Sequence, residues 1–532
     1  MNHWLIFPVL LPAFLGPLMI LWMRHDLLLQ RVFGLAGGVM ILAIALRLGQ
    51  MAGTGDVHVY RLGNWAAPFG IVLVLDRLAA LMLVLTAVLA LVVQLYAIGS
   101  GWDRKGWHFH ALWMFQLMGL NGAFLTGDAF NLFVFFEVLL IASYGLMIHG
   151  GGPMRLRAGV QYMSYNLAGS ALFLAALGAL YAVTGTLNMA DMALRVAQLP
   201  PAETALLRTG AVLLMLVFAI KAALFPLHFW LPSTYANAPG PVAALFAIMS
   251  KVGVYAMIRF FTMVFPQDTV VETLAADILL PAALITLAVG QIGVLGTRNI
   301  SRLAGFAAIA SIGTLMIAVS TFDARGLTAG MYYMIHSTLA GASLFLIVDM
   351  IAARRGGDVW LRQRPSIRNH EWVSALFFVT AIAIVGLPPL SGFLGKLLIL
   401  DATAAHAWMP LIWTVILVGS VIALLGFVRA GSMLFWKAHE LDPEPGNDSD
   451  EGRRPRPGPI PTKLESDEPI QDVDDSAAPW LSFVALSGLL LGLALLALFA
   501  GPLTDHLQAT AQQLTSPAQY LDAVLNRQEG AR

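Results

Sequence analysis

Long apolar runs follow one another along the whole chain, and the short segments between them carry most of the charged residues. The runs are about 20 residues long, which is the length at which an α-helix crosses roughly 30 Å of hydrocarbon. They are continuous rather than alternating, which excludes the sequence pattern of a membrane β-barrel. The pattern therefore predicts an all-α polytopic membrane protein.

The runs predict about 14 transmembrane helices. The expected ranges are 3–23, 32–50, 73–98, 109–126, 129–148, 158–183, 209–231, 241–265, 277–296, 302–321, 327–352, 372–400, 410–437 and 479–501. Only the pair "GD" separates the fourth span from the fifth, so this division is the least marked. No basic segment or small-residue cleavage site accompanies the first run, so we expect a retained span rather than a signal peptide.

Composition supports the membrane class. The chain has 532 residues, of which 58% are hydrophobic and 12% are charged, and its mean hydropathy is +0.76. Soluble domains carry about 25% charged residues, so this chain has half the charge that a water-facing surface needs. Cysteine is absent, which excludes disulfides and metal or redox centres held by sulfur. We expect no cofactor, no bound metal and no nucleic-acid partner.

Basic residues predict the orientation, because cytoplasmic loops are enriched in Lys and Arg. The loops after odd-numbered spans hold most of them. They include Arg24, Arg31, Arg104, Lys105, Arg155, Arg157, Arg298, Arg302, Arg354, Arg355, Arg362, Arg364 and Arg368. The loops after even-numbered spans hold few. The odd-numbered loops are therefore predicted to be cytoplasmic, with both termini on the other side.

Four of the charged residues inside the predicted spans are expected near the middle of the bilayer, where each is expensive. Glu137 lies in "FNLFVFFEVLLIASYGL", and Lys221, Lys251 and Lys396 lie in spans seven, eight and twelve. Insertion scales assign each about 2.5–3.5 kcal/mol, which sums to about 10 kcal/mol, a typical domain's whole stability. The alternative is that Glu137 and one lysine form a buried ion pair that only fixes helix packing, but this would leave the other two lysines without an acid. A path for ions or protons is the default interpretation, and buried lysine readily exchanges a proton.

Two of these lysines lie beside predicted helix breaks. Pro226 follows Lys221 by five residues, and Pro388 and Pro389 precede Lys396. Proline removes a backbone donor and clashes with the preceding turn, and broken helices inside membranes line cavities or are buried in protein. The breaks lie five spans apart, so the two helices cross in opposite directions. This arrangement predicts two inverted five-helix repeats, each with one broken helix.

Histidine is the remaining candidate proton carrier. His336 lies in "YYMIHSTLAGASLF" within span eleven, and its ordinary pKa near 6.5 suits proton relay. A hydrogen-bonded packing histidine is the alternative. His228 is expected at the mouth of the site or in packing. Arg259 is expected to reach the membrane interface, and Asp76 to contact a neighbouring helix.

The predicted organisation has six parts. They are an N-terminal three-helix segment (1–108), a first repeat of spans four to eight (109–265), a second repeat of spans nine to thirteen (277–437), a loop (438–478), a last transmembrane helix (479–501) and a C-terminal tail (502–532). Residues 440–478 hold twelve acids, four bases and almost no large apolar residue, so we expect a disordered cytoplasmic loop. A solvated insertion is the simpler interpretation, and regulatory docking is the alternative.

Several motifs together carry a family resemblance. They are "NLFVFFEVLLIASY", "KAALFPLHFWLPSTYANAPGPVAALF", "SKVGVYAMIRF" and "GLPPLSGFLGK". They resemble the proton-translocating subunits of Mrp-type cation/proton antiporters and the related membrane-arm subunits of respiratory complex I. The stretch "FLTGDAFNLFVFFEVLLIASYGLM" most resembles the D subunit of Mrp antiporters. Lys396 agrees with this choice, because one complex I branch has glutamate at the matching position.

The resemblance implies a function and its residues. Glu137 and Lys221 would form a coupling ion pair, Lys251 the next proton carrier, His336 a bridge and Lys396 the terminal carrier. The implied protein is a subunit of a hetero-oligomeric complex in a bacterial plasma membrane that exports Na⁺ or K⁺ in exchange for protons. The alternatives are a redox-driven pump subunit of complex I or of a membrane-bound hydrogenase, and a scaffold whose buried charges only organise assembly.

Overall fold

The structure, a computed structural model, describes residues 3–200, 204–265, 270–437 and 479–526. Helices dominate this part of the chain, which confirms the predicted fold class. The helices are α1 (Phe7–Trp22), α2 (Leu27–Gly53), α3 (Arg77–Ser100), α4 (Phe109–Leu125), α5 (Ala129–Met147), α6 (Pro153–Thr184), α7 (Met189–Gln198), α8 (Ala205–Ala222), α9 (Trp230–Asn237), α10 (Gly240–Arg259), α11 (Val270–Gly296), α12 (Ile300–Val319), α13 (Ala324–Arg354), α14 (His370–Val385), α15 (Ser391–Ala402), α16 (Met409–Gly431), α17 (Pro479–Leu498), α18 (Ala500–Thr515) and α19 (Ala518–Leu525).

Eleven helices of the described chain are long and apolar enough to cross a membrane, so the protein is a multi-pass membrane protein. They are α2, α3, α5, α6, α8, α10, α11, α12, α13, α16 and α17. Two further apolar helices, α1 and α14, are shorter. Every predicted span lies on at least one helix, and α4 and α5 are separate. The predicted number of 14 spans and the inverted repeats remain predictions.

A short β-hairpin precedes α3 and was not predicted. Its strands β1 (His58–Arg61) and β2 (Val72–Leu75) pair antiparallel, with His58 opposite Leu75. All four residues of β2 are buried. Asp76 then caps α3 by accepting a hydrogen bond from the Ala79 backbone at 2.9 Å, as N-cap aspartates do. The third predicted span therefore begins as a strand and becomes helical only at Arg77.

Two helices form the centre of the bundle. In the apolar 18-residue segment of α10, 100% of the residues are buried, and in that of α13 the share is 89%. The two helices pack against each other. In α2, α6, α16 and α17 only 33–39% of the equivalent segment is buried, so these helices present apolar faces outward, as lipid-facing helices do. Lys251 on α10 and His336 on α13 are consequently on the innermost helices.

Both predicted helix breaks are confirmed. Helix α8 ends at Ala222, and Ala223 has a left-handed backbone (φ 57°). Helix α14 ends at Val385, and Gly386 is also left-handed (φ 83°). A left-handed residue terminates a helix because its N–H turns back onto the last turn. The chain resumes as α9 and α15, so each break leaves carbonyls that need new partners.

The C-terminal segment predicted as a tail contains two helices. Helix α18 packs on α13 and α3, and α19 packs on α7 and β1. Gln513 on α18 accepts a hydrogen bond from the Arg77 backbone at 3.1 Å and donates one to the Gly55 carbonyl at 2.9 Å. The predicted acidic loop, 438–478, lies outside the described residues.

Candidate functional site

Lys221 lies in the last turn of α8, immediately before the first break. The residue is 8% exposed, and its Nζ donates a hydrogen bond to Asn166 Oδ1 on α6 at 3.2 Å. The ring of Phe136 lies 5.9 Å from Nζ, within reach of a cation–π contact. The indole of Trp230 at the start of α9 donates to the Ile220 carbonyl at 3.0 Å. The broken end of α8 is thus stabilised from α9, and the lysine faces α6.

Glu137 lies on α5 and is half-buried. Its carboxylate accepts a hydrogen bond from the Ser170 hydroxyl on α6. The charge of Glu137 acts on Lys221. However, among the described residues, no nitrogen–oxygen distance of 4.0 Å or less joins Lys221 to Glu137, so the two form no direct ion pair. In this conformation, each member of the predicted coupling pair has a neutral partner on α6.

Helix α10 approaches the broken end of α8 very closely at Gly253. A methyl group on Gly253 would lie 2.8 Å from the Phe218 carbonyl oxygen and 2.9 Å from the Ala222 nitrogen. Only glycine fits such an approach of two backbones. The contact brings the helix that carries Lys251 against the end of the helix that carries Lys221.

A small cavity lies beside Lys221. Its volume is about 20 Å³, and its lining includes Tyr162, Asn166, Lys221, Tyr235 and Ser250. A cavity of this size holds about one water molecule when polar groups surround it. Helices α6, α8, α9 and α10 all contribute to the lining, so the cavity leads from Lys221 towards the helix that carries Lys251.

Lys251 is the most deeply buried lysine of the site, at 2% exposed. In the described chain, its Nζ has neither a hydrogen-bond partner nor an acid within 4.0 Å. An unpaired ammonium group is costly in an apolar interior. Lys251 is therefore suited to exchanging a proton rather than to forming a structural ion pair.

His336 connects the bundle centre to the second break. It is 1% exposed, and its Nδ1 lies 2.9 Å from the Ser391 hydroxyl at the start of α15. The charges of Lys251 and Lys396 both act on it. A methyl group on Gly392 would lie 3.0 Å from the imidazole ring and 2.0 Å from the Ala383 carbonyl oxygen. Glycine at this position therefore lets α15 begin beside the histidine.

Lys396 stabilises the second break directly. The residue is 8% exposed, and its Nζ donates to the Val385 carbonyl at 2.6 Å and to the Ser420 hydroxyl at 2.8 Å. Val385 is the last residue of α14, so its carbonyl has lost its helical partner. A cation at a helix C-terminus is also favoured by the helix dipole. Lys396 thus has neutral partners, as Lys221 does.

Arg259 forms a buried ion pair, which the sequence did not predict. It is 3% exposed, so the protein encloses it, and its expected position at the membrane interface stays a prediction. Its guanidinium forms a bidentate ion pair with Asp76, with Nη2 to Oδ1 at 2.9 Å, and also donates to the Tyr255 hydroxyl at 3.1 Å. The ring of Tyr520 on α19 lies 5.5 Å away. Asp76 does contact a neighbouring helix, as predicted, and the pair joins α3 to α10 beneath the C-terminal helices.

His228 is buried between aromatic rings. The Phe225 and Phe229 ring centroids lie 5.7 Å and 4.3 Å from that of the imidazole. Its Nδ1 has no hydrogen-bond partner among the described residues. This environment agrees with the predicted packing role.

A second polar cluster lies at the turn between α3 and α4. Asp103 is 1% exposed, and its carboxylate accepts hydrogen bonds from Arg31 at 2.6 Å and 2.9 Å, with His110 Nε2 at 3.2 Å. Burial alone would raise the pKa of Asp103, but the hydrogen bonds from His110 and Arg31 outweigh it and lower the pKa below its usual value. The cluster joins the first turns of α2 and α4.

The neutral partners of the charged groups were not predicted from the sequence. Asn166, Ser170, Ser391 and Ser420 are small polar residues in apolar helices, where such residues are common. Asp349 was also missed, although its carboxylate accepts hydrogen bonds from Tyr96 at 2.9 Å and Trp102 at 3.0 Å. A spacing of four between Asn166 and Ser170 was the available signal, because it puts both on one helix face.

Within the described residues, no group of three or more acidic or histidine side chains is arranged to hold a metal ion. The site consists of three lysines, one histidine, one glutamate and neutral hydrogen-bonding groups. Such an arrangement can bind and release protons.

Comparisons with known proteins agree on one family. The family model described as "NADH:quinone oxidoreductase/Mrp antiporter, TM" matches residues 126–423. A Rhizobium meliloti (strain 1021) protein, named as the D subunit of a probable K⁺/H⁺ antiporter, is 37% identical, and the match covers 99% of this chain and 98% of that protein. The D subunit of a Na⁺/H⁺ antiporter from Bacillus subtilis (strain 168) is 36% identical, with 85% of this chain and 91% of that protein covered.

A solved structure shows the same fold over the whole chain. A chain of the Mrp complex from Dietzia sp. DQ12-45-1b is 27% identical, with a TM-score of 0.84, and the match covers 99% of this chain and 100% of that chain. The relatives confirm the resemblance to D subunits of Mrp antiporters. The protein therefore belongs to the family of transmembrane subunits shared by NADH:quinone oxidoreductases and Mrp antiporters.

Proposed function

We propose that the chain is the proton-translocating subunit of a multisubunit monovalent cation/proton antiporter. The complex exports Na⁺ or K⁺ in exchange for protons across a bacterial plasma membrane, with both termini of this subunit on the non-cytoplasmic side. The relatives are named as subunits of K⁺/H⁺ and Na⁺/H⁺ antiporters, which supports the reaction class and favours neither cation. The two repeats, 109–265 and 277–437, would each supply one broken helix to the path.

The proposed path runs through Glu137, Lys221, Lys251, His336 and Lys396. Direct pairing with Glu137 keeps Lys221 charged, and separation of the pair lets the desolvated lysine release its proton. The proton passes by way of Lys251 and a cavity water to His336, and then to Lys396. Ser391 orients the imidazole, and the Val385 carbonyl and Ser420 receive the charged form of Lys396.

One observation carries this function: the buried lysines have no carboxylate partner within 4.0 Å in the described chain. A scaffold would use its buried charges in fixed ion pairs, as Asp76 and Arg259 do. Lys221 and Lys396 instead have neutral oxygen partners, and Lys251 has none. Groups in such surroundings change protonation state at small energetic cost.

The test is antiport in everted membrane vesicles that contain this chain together with its native partner subunits. Glu137→Gln and Lys221→Ala are expected to abolish the dissipation of a proton gradient on addition of Na⁺ or K⁺. The control is Lys437→Ala, which removes an exposed lysine after α16. Near-normal antiport by Glu137→Gln at equal membrane abundance would refute the proposal. Loss of assembly in Lys221→Ala would favour the scaffold.

Copurification separates the antiporter from a redox-driven pump. The tagged chain, extracted from its native membrane in mild detergent, is expected to bring several small hydrophobic subunits and one larger homologous subunit. Iron–sulfur or flavin proteins in the same preparation would instead assign the chain to a redox-driven pump. Mass spectrometry identifies either set.

A further inference from the structure

Helix α6 contacts both members of the Glu137–Lys221 pair through two buried side chains. Asn166 is 1% exposed and Ser170 is 5% exposed. They are four residues apart, so they lie on the same helix face, about 6 Å apart along the axis. Asn166 contacts the lysine on α8, and Ser170 contacts the glutamate on α5. Neither residue belongs to the proposed proton path.

The orientation of the Asn166 amide is determined by its own helix. Its Nδ2 donates to the Tyr162 carbonyl at 2.9 Å. The amide therefore presents only its oxygen to Lys221, which suits an ammonium group, because that group only donates hydrogen bonds. Ser170 does the converse, since its hydroxyl donates to the Glu137 carboxylate, which only accepts. Each neutral group matches the charge that it faces.

We propose that Asn166 and Ser170 are positioning residues that hold Lys221 and Glu137 apart. This assignment rests on the proposed function. It adds that helix α6 controls the first step, which is the separation of Lys221 from Glu137. With these partners, both charged groups keep a hydrogen bond when the ion pair opens. Without them, opening would leave two unsatisfied charges in a medium of low dielectric constant. Helix α6 thereby sets the balance between the paired and separated states.

Few other titratable groups face this pair. Tyr144 on α5 lies near Glu137, and Tyr162 and Tyr235 line the cavity beside Lys221. Lys251 lies between the lining residues Ser250 and Val252 in the sequence but is not part of the lining. Tyrosine ordinarily titrates near pH 10. A change in the pH profile of transport near neutral pH therefore reports the groups of the proposed proton path rather than these tyrosines.

Ser170→Ala and Asn166→Ala test the inference, with antiport measured against pH in vesicles that contain the complete complex. Each variant favours direct pairing, so Lys221 retains its proton to higher pH. The pH of half-maximal activity on the acidic side is expected to rise by about one unit, the effect of one hydrogen bond to a charged group. Ser170→Thr keeps the hydroxyl and is expected to restore the wild-type profile.

A matched control lies on the same helix. Ser164 is exposed, and among the described residues its hydroxyl donates to the Val160 carbonyl alone, so Ser164→Ala is expected to keep the wild-type profile. Asn166→Asp places a carboxylate next to Lys221 and is expected to lower antiport more than tenfold at neutral pH. If Asn166 variants fail to assemble, the three serine variants decide.

Two results would overturn the positioning role. One is a wild-type pH profile in Ser170→Ala, with or without reduced activity. The other is a wild-type profile in Asn166→Asp at normal abundance. If Glu137→Gln abolishes antiport in the same experiment, only the role of α6 is refuted. If Glu137→Gln transports normally, the proposed function itself fails.

Discussion

Substitution of Gly253 by alanine is expected to damage both the stability and the activity of the protein. The added methyl group would lie 2.8 Å from the Phe218 carbonyl oxygen, 2.9 Å from the Ala222 nitrogen and 3.1 Å from the Lys221 Cβ. Two of these atoms belong to the backbone, so no side-chain rotation relieves the overlap. Helices α8 and α10 must therefore separate by about half an ångström to restore van der Waals contact.

The size of the effect follows from overpacking. Extra methyl groups in packed cores cost about 1–3 kcal/mol, against a gain of up to about 1 kcal/mol in helix propensity. The displacement also acts on the last turn of α8, which positions Lys221 against Asn166. Misplacements of this order lower the rates of positioned reactions by about tenfold or more. We therefore expect a less stable complex with about tenfold slower antiport.

The assay compares Gly253→Ala with Gly178→Ala, a control in α6. In the described chain, no atom beyond its own helix backbone lies within 4 Å of a methyl group at position 178. The control therefore gains helix propensity without overlap and is expected to be at least as stable as the wild type and equally active. Stability is measured as the temperature at which the solubilised complex loses its monodisperse gel-filtration peak, and antiport is measured in vesicles. Equal stability and equal antiport in the two variants would show that the close approach of α8 and α10 is not required.

Three further predictions concern other sites. Asp76→Asn leaves the buried Arg259 without its carboxylate partner and is expected to lower the free energy of unfolding by about 3–5 kcal/mol. The measurement is the melting temperature of the complex, which should fall. An unchanged melting temperature would contradict the structural role of the pair. Because the folded-state pKa of Asp103 is lowered, its stabilisation is present above about pH 4 and is lost as the pH falls through the folded-state pKa. The melting-temperature difference between wild type and Asp103→Asn should therefore be largest at neutral pH and shrink below about pH 4, and a constant difference would refute the linkage. Lys396→Met removes the donor to the Val385 carbonyl and should abolish antiport. Lys396→Arg stays charged at all working pH values, so the complex should assemble but also fail to transport. Antiport by Lys396→Arg would exclude proton release at this position.

Hydropathy and proline determined much of the architecture before any tertiary contact was known. Membrane helices depend on local composition, because the bilayer requires each span to form the hydrogen bonds of its backbone N–H and C=O groups within itself. The broken helices at Pro226 and Pro388 follow from the missing proline donor, and the isolated charges Glu137, Lys251 and Lys396 stand out in apolar runs. These features are readable from neighbouring residues alone.

Only the tertiary structure decided which groups contact the charges. Lys221 contacts Asn166, 55 positions away, and Arg259 contacts Asp76, 183 positions away. Small polar residues are frequent in membrane helices, so only the four-residue spacing of Asn166 and Ser170 sets them apart in the sequence from Ser164, which faces outward on the same helix. Nothing in the sequence indicated the partner of Arg259, because Asp76 caps a helix that is far away along the chain. The burial and pairing of a charge depend on how helices pack, and packing joins residues that the sequence keeps far apart.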